Sequence, residues 1–238
     1  MTFFLLLIGC DEIDMLLGGV TNPDVAEGLV VALAKPADLD LSGTAYEHGG
    51  RAAAYLSSLE GTFPTDVALS LVSDTNGTLA FGNEGEGVWS TAEGTGVSYT
   101  PGETLIIERD GSEILRTEGA PAASINIPLT LAAGTGLHLD VGSEDYDGIV
   151  AVVLNVGTKE ELWNNAPDGA GVVYDMLVEA PVLDADIPGD TFAEPGEYAI
   201  GVAGLRVNEA VDVTDVNTLA SLMATGILEF RRMTVTAE

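Results

Sequence analysis

The stretch that most constrains the fold is residues 104–117. It reads Thr-Leu-Ile-Ile-Glu-Arg-Asp-Gly-Ser-Glu-Ile-Leu-Arg-Thr, two alternating runs on either side of Asp110-Gly111. Asp-Gly supplies the two positive-φ residues of a tight turn whose twist matches that of paired strands, so this stretch predicts a β-hairpin. The same punctuation recurs along the chain. Short apolar or alternating runs at residues 28–34, 66–72, 78–81, 88–91, 124–131, 137–141, 149–156, 172–178, 198–207 and 227–235 are separated by Gly, Pro, Asn and Asp turns. The run 149–156 is nearly all apolar and β-branched, which suits a strand buried on both faces. Three segments read less clearly. Residues 51–59 are alanine-rich and fit a two-turn helix as well as a strand. Residues 159–165 suggest one helical turn, and residues 215–225 a short helix closed by Gly226. Many short strands with regular turns argue for an all-β sandwich.

An internal echo refines this. Pro101-Gly102-Glu103-Thr104-Leu105-Ile106-Ile107 is matched by Pro195-Gly196-Glu197-Tyr198-Ala199-Ile200-Gly201. A Pro-Gly turn leading into an alternating late strand resembles immunoglobulin-like and fibronectin-type-III-like modules. The resemblance implies an all-β chain of one or two immunoglobulin-like antiparallel β-sandwiches. In the two-module form, residues 28–121 make the first and 122–238 the second, with Ala-Pro-Ala-Ala at 120–123 as the linker. A single larger sandwich is the alternative.

At the start of the chain, residues 3–8 are wholly apolar and Gly9 is small, the outline of an export signal far shorter than the ~20 residues that span a bilayer. Leu7-Ile8-Gly9-Cys10 resembles the lipobox of bacterial lipoproteins. That resemblance implies a signal peptide over residues 1–9, acylation of Cys10, and attachment to a membrane of the cell envelope, inner or outer. Two or three acyl chains hold stably where a single chain holds marginally. The alternative is a buried first strand over residues 3–8 with Cys10 in the core. Residues 10–27, with Asp11, Glu12, Asp14, Gly18-Gly19 and Asn22-Pro23, read as a flexible stem.

The charge excludes some functions. The chain carries 38 acidic and 8 basic residues, a net charge of −30. Nucleic acid would be repelled rather than neutralised, and anionic lipid headgroups likewise, so membrane attachment falls to the acyl chains. Such self-repulsion favours a saline or cation-rich surrounding, or serves solubility at a crowded surface. One cysteine permits no intramolecular disulfide. Two histidines, His48 and His138, and no Gly-x-Ser-x-Gly elbow give nucleophilic catalysis little to work with. His138 alternates with Leu137 and Leu139 and reads as a solvent-facing strand residue.

Calcium is the one cofactor chemistry that the acidic turns suggest, since Ca²⁺ takes six to eight oxygen ligands. Three stretches qualify. Asp38, Asp40 and Ser42 with Gly43 form the first half of an EF-hand-like loop, although Gly49 stands where the closing Glu is expected. Glu144, Asp145 and Asp147 form a tight acidic turn. Asp184, Asp186 and Asp190 flank Ile187-Pro188-Gly189. Each stretch reads equally as a solvated turn. Trp89, Tyr99, Trp163 and Tyr174 form either a stacking surface or core. The reading is a non-enzymatic, lipid-anchored envelope or cell-surface protein with an interaction or structural role, its partners envelope proteins or surface glycans. A Ca²⁺-dependent carbohydrate- or protein-binding adhesion module and a secreted carboxylate-dependent hydrolase are the alternatives.

Overall fold

A computed structural model describes residues 24–58, 62–92, 94–141, 145–165, 182–209 and 221–237. The signal and lipobox with Cys10, the stem up to residue 23, Glu144, Tyr174 and the strand expected at 172–178 lie outside them. The described residues form fourteen strands and one 3-10 turn, Gly189–Phe192, with no α-helix.

Seven strands come first: β1 (Asp24–Ala34), β2 (Arg51–Ser58), β3 (Leu69–Ser73), β4 (Gly77–Gly85), β5 (Val88–Thr91), β6 (Thr104–Arg109) and β7 (Ser112–Glu118). One side runs β1-β2-β5 and the other β4-β3-β6-β7. β4 turns the corner between them, pairing residues 77–80 with β3 and residues 81–85 with β5. Strands that change sheets in this way fold a sheet over its own core. Val30, Leu56, Leu71, Leu105, Ile107 and Leu115 fill the space between. The β6–β7 hairpin turns at Asp110 (φ 53°) and Gly111 (φ 81°), the positive pair that the sequence requires there.

The order then repeats in β8 (Thr130–Ala132), β9 (Leu137–Asp140), β10 (Gly148–Asn155), β11 (Glu161–Asn164), β12 (Asp184–Ile187), β13 (Gly196–Glu209) and β14 (Leu222–Thr236). In each set of seven, the fourth, third, sixth and seventh strands form one sheet in that order, and the second pairs with the fifth on other strands of the set, directly (β9–β12) or beside the first (β1-β2-β5). This is the strand order of an immunoglobulin-like sandwich. Pro101-Gly102 lies just before the sixth strand of its set, and Pro195-Gly196 opens the sixth strand of the other, whose first residue is Gly196. The fold is therefore all-β and immunoglobulin-like.

The two sets share one sheet. β1 pairs in parallel with β14, from Glu27 opposite Leu222 to Ala34 opposite Glu229, which joins strands of both sets into a 12-stranded sheet that leaves out only β9 and β12. Alternation along β14 then serves three cores. Met223 enters the first, Met233 and Val235 enter the second with Ile149, Val153, Phe192, Tyr198 and Ile200, and Ala224, Leu228 and Phe230 on the opposite face enter a third. β10 lies between β11 and β13 with both faces covered, as its apolar run predicts: Ile149, Ala151 and Val153 face the second core, Val152 and Leu154 the third. Space on that third face is tight. A Cβ on Gly201 would come within 2.7 Å of the Phe230 ring and 2.8 Å of Val152.

The connection from β1 to β2 folds over the third core. Leu39 and Leu41 are buried there, each worth about 1.5–3 kcal/mol of hydrophobic transfer, and Tyr46 meets Phe230 edge-on at 5.3 Å. The connection is fastened at its polar positions. Lys35 Nζ donates to Leu39 O at 2.9 Å, Lys159 Nζ reaches Asp40 Oδ2 at 3.2 Å, Arg232 Nε stands 3.6 Å from Asp38 Oδ2, and Tyr46 Oη donates to Glu161 Oε2 at 3.1 Å. Three of the chain's eight basic side chains are thus committed to one loop.

Several expectations meet a different outcome. Residues 51–58 are a strand, because Ala52, Ala54 and Leu56 alternate into the first core between β1 and β5. Residues 161–164 extend beside β10 instead of turning as a helix, and residues 222–225 belong to β14. β1 begins at Asp24, inside the stretch read as stem. The segment 120–123, read as a linker, packs against its neighbours: Ala120 and Ala123 are buried, the Ala120 N–H donates to Thr225 Oγ1 at 3.0 Å, and Tyr99 Oη donates to Ala120 O at 3.1 Å.

Candidate functional site

The two-stranded β9–β12 ladder builds the most distinctive side-chain cluster. Leu137, Leu139, Ala185 and Ile187 alternate inward to the second core. The period of two therefore sends His138, Asp140, Asp184 and Asp186 to the same outer face. The antiparallel register sets Asp186 opposite His138 and Asp184 opposite Asp140. His138 Nδ1 lies 2.8 Å from Asp186 Oδ1. One ligating atom from each of His138, Asp184 and Asp186 lies within 4.8 Å of the others, and all three residues are exposed. The hydrogen bond to Asp186 raises the pKa of His138, and the charges of Asp186, Asp184 and Asp140 act in the same direction. Asp190 stands apart, exposed in the 3-10 turn at Gly189–Phe192.

The other acidic turns are tied to the protein itself. Asp40 accepts the Ser42 N–H at 2.9 Å. That backbone bond comes first, with the Ser42 side chain and Lys159 adding to it, in holding the Asp40 carboxyl well below the usual range. Asp38 lies beside Arg232. Asp147 Oδ2 accepts the Val207 N–H at 2.7 Å, while Arg206 donates through Nε and Nη2 to the backbone carbonyl of Asp145 at 3.1 and 3.0 Å. These contacts bind turns to β13 and to the loop over the third core. Trp89 and Tyr99 are buried in the first core and Trp163 packs against the second, so these three serve packing.

A groove of about 410 Å³ opens on the outer face of the shared sheet. Leu29, Val31, Ala53, Val150 and Leu228 line its floor, Tyr46 and Tyr55 stand at its walls, and Arg51 and Glu27 carry charge. A space of this size and apolar character accommodates a small ligand or a few side chains of a partner.

The sequence reading named Asp184 and Asp186 without His138. Both alternations, Leu137-His138-Leu139-Asp140 and Asp184-Ala185-Asp186-Ile187, show which residues face out. They do not show that strands 48 residues apart lie side by side. The groove had no signal at all, because its floor reads as ordinary strand.

No family model matches the chain, and no curated protein matches it. Among solved structures, the chain is similar to the Yersinia pseudotuberculosis adhesin InvE at 12% identity, covering 85% of this chain and 58% of that one with a TM-score of 0.25. It is similar to the BSP domain of a biofilm associated protein at 13% identity, covering 90% and 30%, TM-score 0.25. The FN1–FN3 domains of chicken CNTN1 follow at 11% identity, covering 79% and 62%, TM-score 0.22. The chain spans less than two thirds of the length of each. Such TM-scores leave function to be read from this chain's own residues.

Proposed function

We propose that this chain is a non-catalytic interaction module of the cell envelope, tethered through acylated Cys10 and displayed on two immunoglobulin-like modules, residues 28–121 and 122–238. The observation that carries the interaction role is the apolar groove on the shared sheet. Both sandwich interiors are filled, yet Leu29, Val31 and Ala53 stay only half-buried on the outer face, and apolar surface left in contact with water marks a binding surface. The net charge of −30 selects for a partner that sets apolar side chains in the groove and Lys or Arg around it. The Leu-Ile-Gly-Cys motif supports the tether.

Two measurements test this reading. In a bacterial host the chain incorporates labelled fatty acid and fractionates with membranes, and Cys10→Ser releases it. Label retained on Cys10→Ser would overturn the tether. Capture of envelope proteins by the immobilised chain weakens with added salt and falls at least ten-fold for Ala53→Trp, which fills the groove floor. Capture unchanged by Ala53→Trp would remove the groove from the binding surface.

A further inference from the structure

We propose that the outer face of the β9–β12 ladder is a transition-metal site of the Zn²⁺ class, with His138, Asp184 and Asp186 as ligands. It is independent of the groove and of the tether. The donor set is one imidazole nitrogen and two carboxylates, drawn from two strands whose inward residues are locked in the second core. Ligands of one Zn²⁺ sit about 2.0–2.2 Å from the ion, and hence no more than about 4.4 Å from each other. The three atoms here lie within 4.8 Å, so small side-chain rotations close the set. The ion takes the place of the His138–Asp186 hydrogen bond and leaves a position for water.

The electrostatics call for a cation. Asp184 and Asp186 share the outer face of β12 at the two-residue repeat, with Asp140 opposite Asp184, so negative charge is concentrated on this face. A surface with a net charge of −30 also raises the local concentration of cations. The imidazole then selects among them. Nitrogen ligands suit Zn²⁺, Ni²⁺ and Cu²⁺, whereas Ca²⁺ requires six to eight oxygens. His138 thus turns an acidic surface that would attract any divalent ion into one that discriminates.

The test is calorimetric titration of ZnCl₂ and CaCl₂ into the whole chain at pH 7.5, in a Cys10→Ser background that removes the thiol. The expected result is one saturable Zn²⁺ per chain and much weaker Ca²⁺ binding. His138→Ala and Asp186→Asn each weaken Zn²⁺ at least ten-fold, while His48→Ala and Asp190→Asn leave it unchanged. All four positions are exposed, and thermal unfolding without metal verifies that the variants are folded. Nuclear magnetic resonance shows the His138 imidazole signals shifting on Zn²⁺ addition. Absence of saturable Zn²⁺ binding, Zn²⁺ affinity indifferent to His138→Ala, or Ca²⁺ bound as tightly as Zn²⁺ overturns the proposal.

Discussion

Glu103, in the Pro101-Gly102-Glu103 turn, accepts the Thr75 N–H and Thr75 Oγ1, each at 2.6 Å, and the Thr100 N–H at 2.8 Å. Burial pushes its pKa up, but these donors outweigh burial and bring it down to about 2. A carboxylate whose folded pKa is depressed adds stability that is present above its unfolded value and lost as pH falls through the folded one. Its contribution is therefore full above the ordinary value of 4.5 and fades between there and about 2. Glu103→Gln is expected to cost about 1 kcal/mol at pH 7, since charge-assisted bonds are stronger than neutral ones but a half-exposed group is screened. For a chain of this size that lowers the thermal midpoint by about 2–4 °C, and the difference from the parent shrinks to a small part of that at pH 2. An equal difference at both pH values would show that the carboxylate charge plays no part.

At the scale of elements, β14 is the strand on which the others depend. Thr225 is fully buried on it, accepts the Ala120 N–H at 3.0 Å and donates to Glu118 O at 3.2 Å, so one hydroxyl ties the shared strand to the segment between the two sets. Thr225→Val keeps the shape and removes the acceptor of the Ala120 N–H, at a cost of about 1–3 kcal/mol. Thr225→Ser retains the hydroxyl and costs less. Urea denaturation is expected to show a lower midpoint for Val than for Ser with the slope unchanged. The sequence displays the local part of this architecture well. The 104–117 hairpin, the strand at 88–91 and the doubly buried 149–156 run are legible because turn chemistry and period act over a few residues. The Ala-rich 51–58 segment is not, because alanine suits helix and strand alike and only the neighbours β1 and β5 decide. The parallel pairing of β1 with β14 and the meeting of His138 with Asp186 are matters of register between distant strands, and no local pattern encodes them.

For the whole molecule, the shared sheet and the packed 120–123 segment lead us to expect that the two modules unfold as one cooperative unit. The two tryptophans report on this separately, Trp89 from the first core and Trp163 from beside the second. Trp89→Phe and Trp163→Phe variants each leave one reporter. Their fluorescence transitions in urea, each compared with circular dichroism on the same variant, are expected to coincide, which is the signature of two-state unfolding. Two separated transitions would show that the halves unfold independently. The β1–β14 ladder also orders events in time. The Ala26 N–H donates to Ser221 Oγ at 2.9 Å across a separation of 195 residues, and contacts that distant in sequence form slowly. During synthesis β1 emerges early and waits for nearly the whole chain before its second neighbour exists. Until β14 has been made, β1 keeps one edge without a strand partner, and an open edge is the part of a sheet most prone to pair with a strand of another chain.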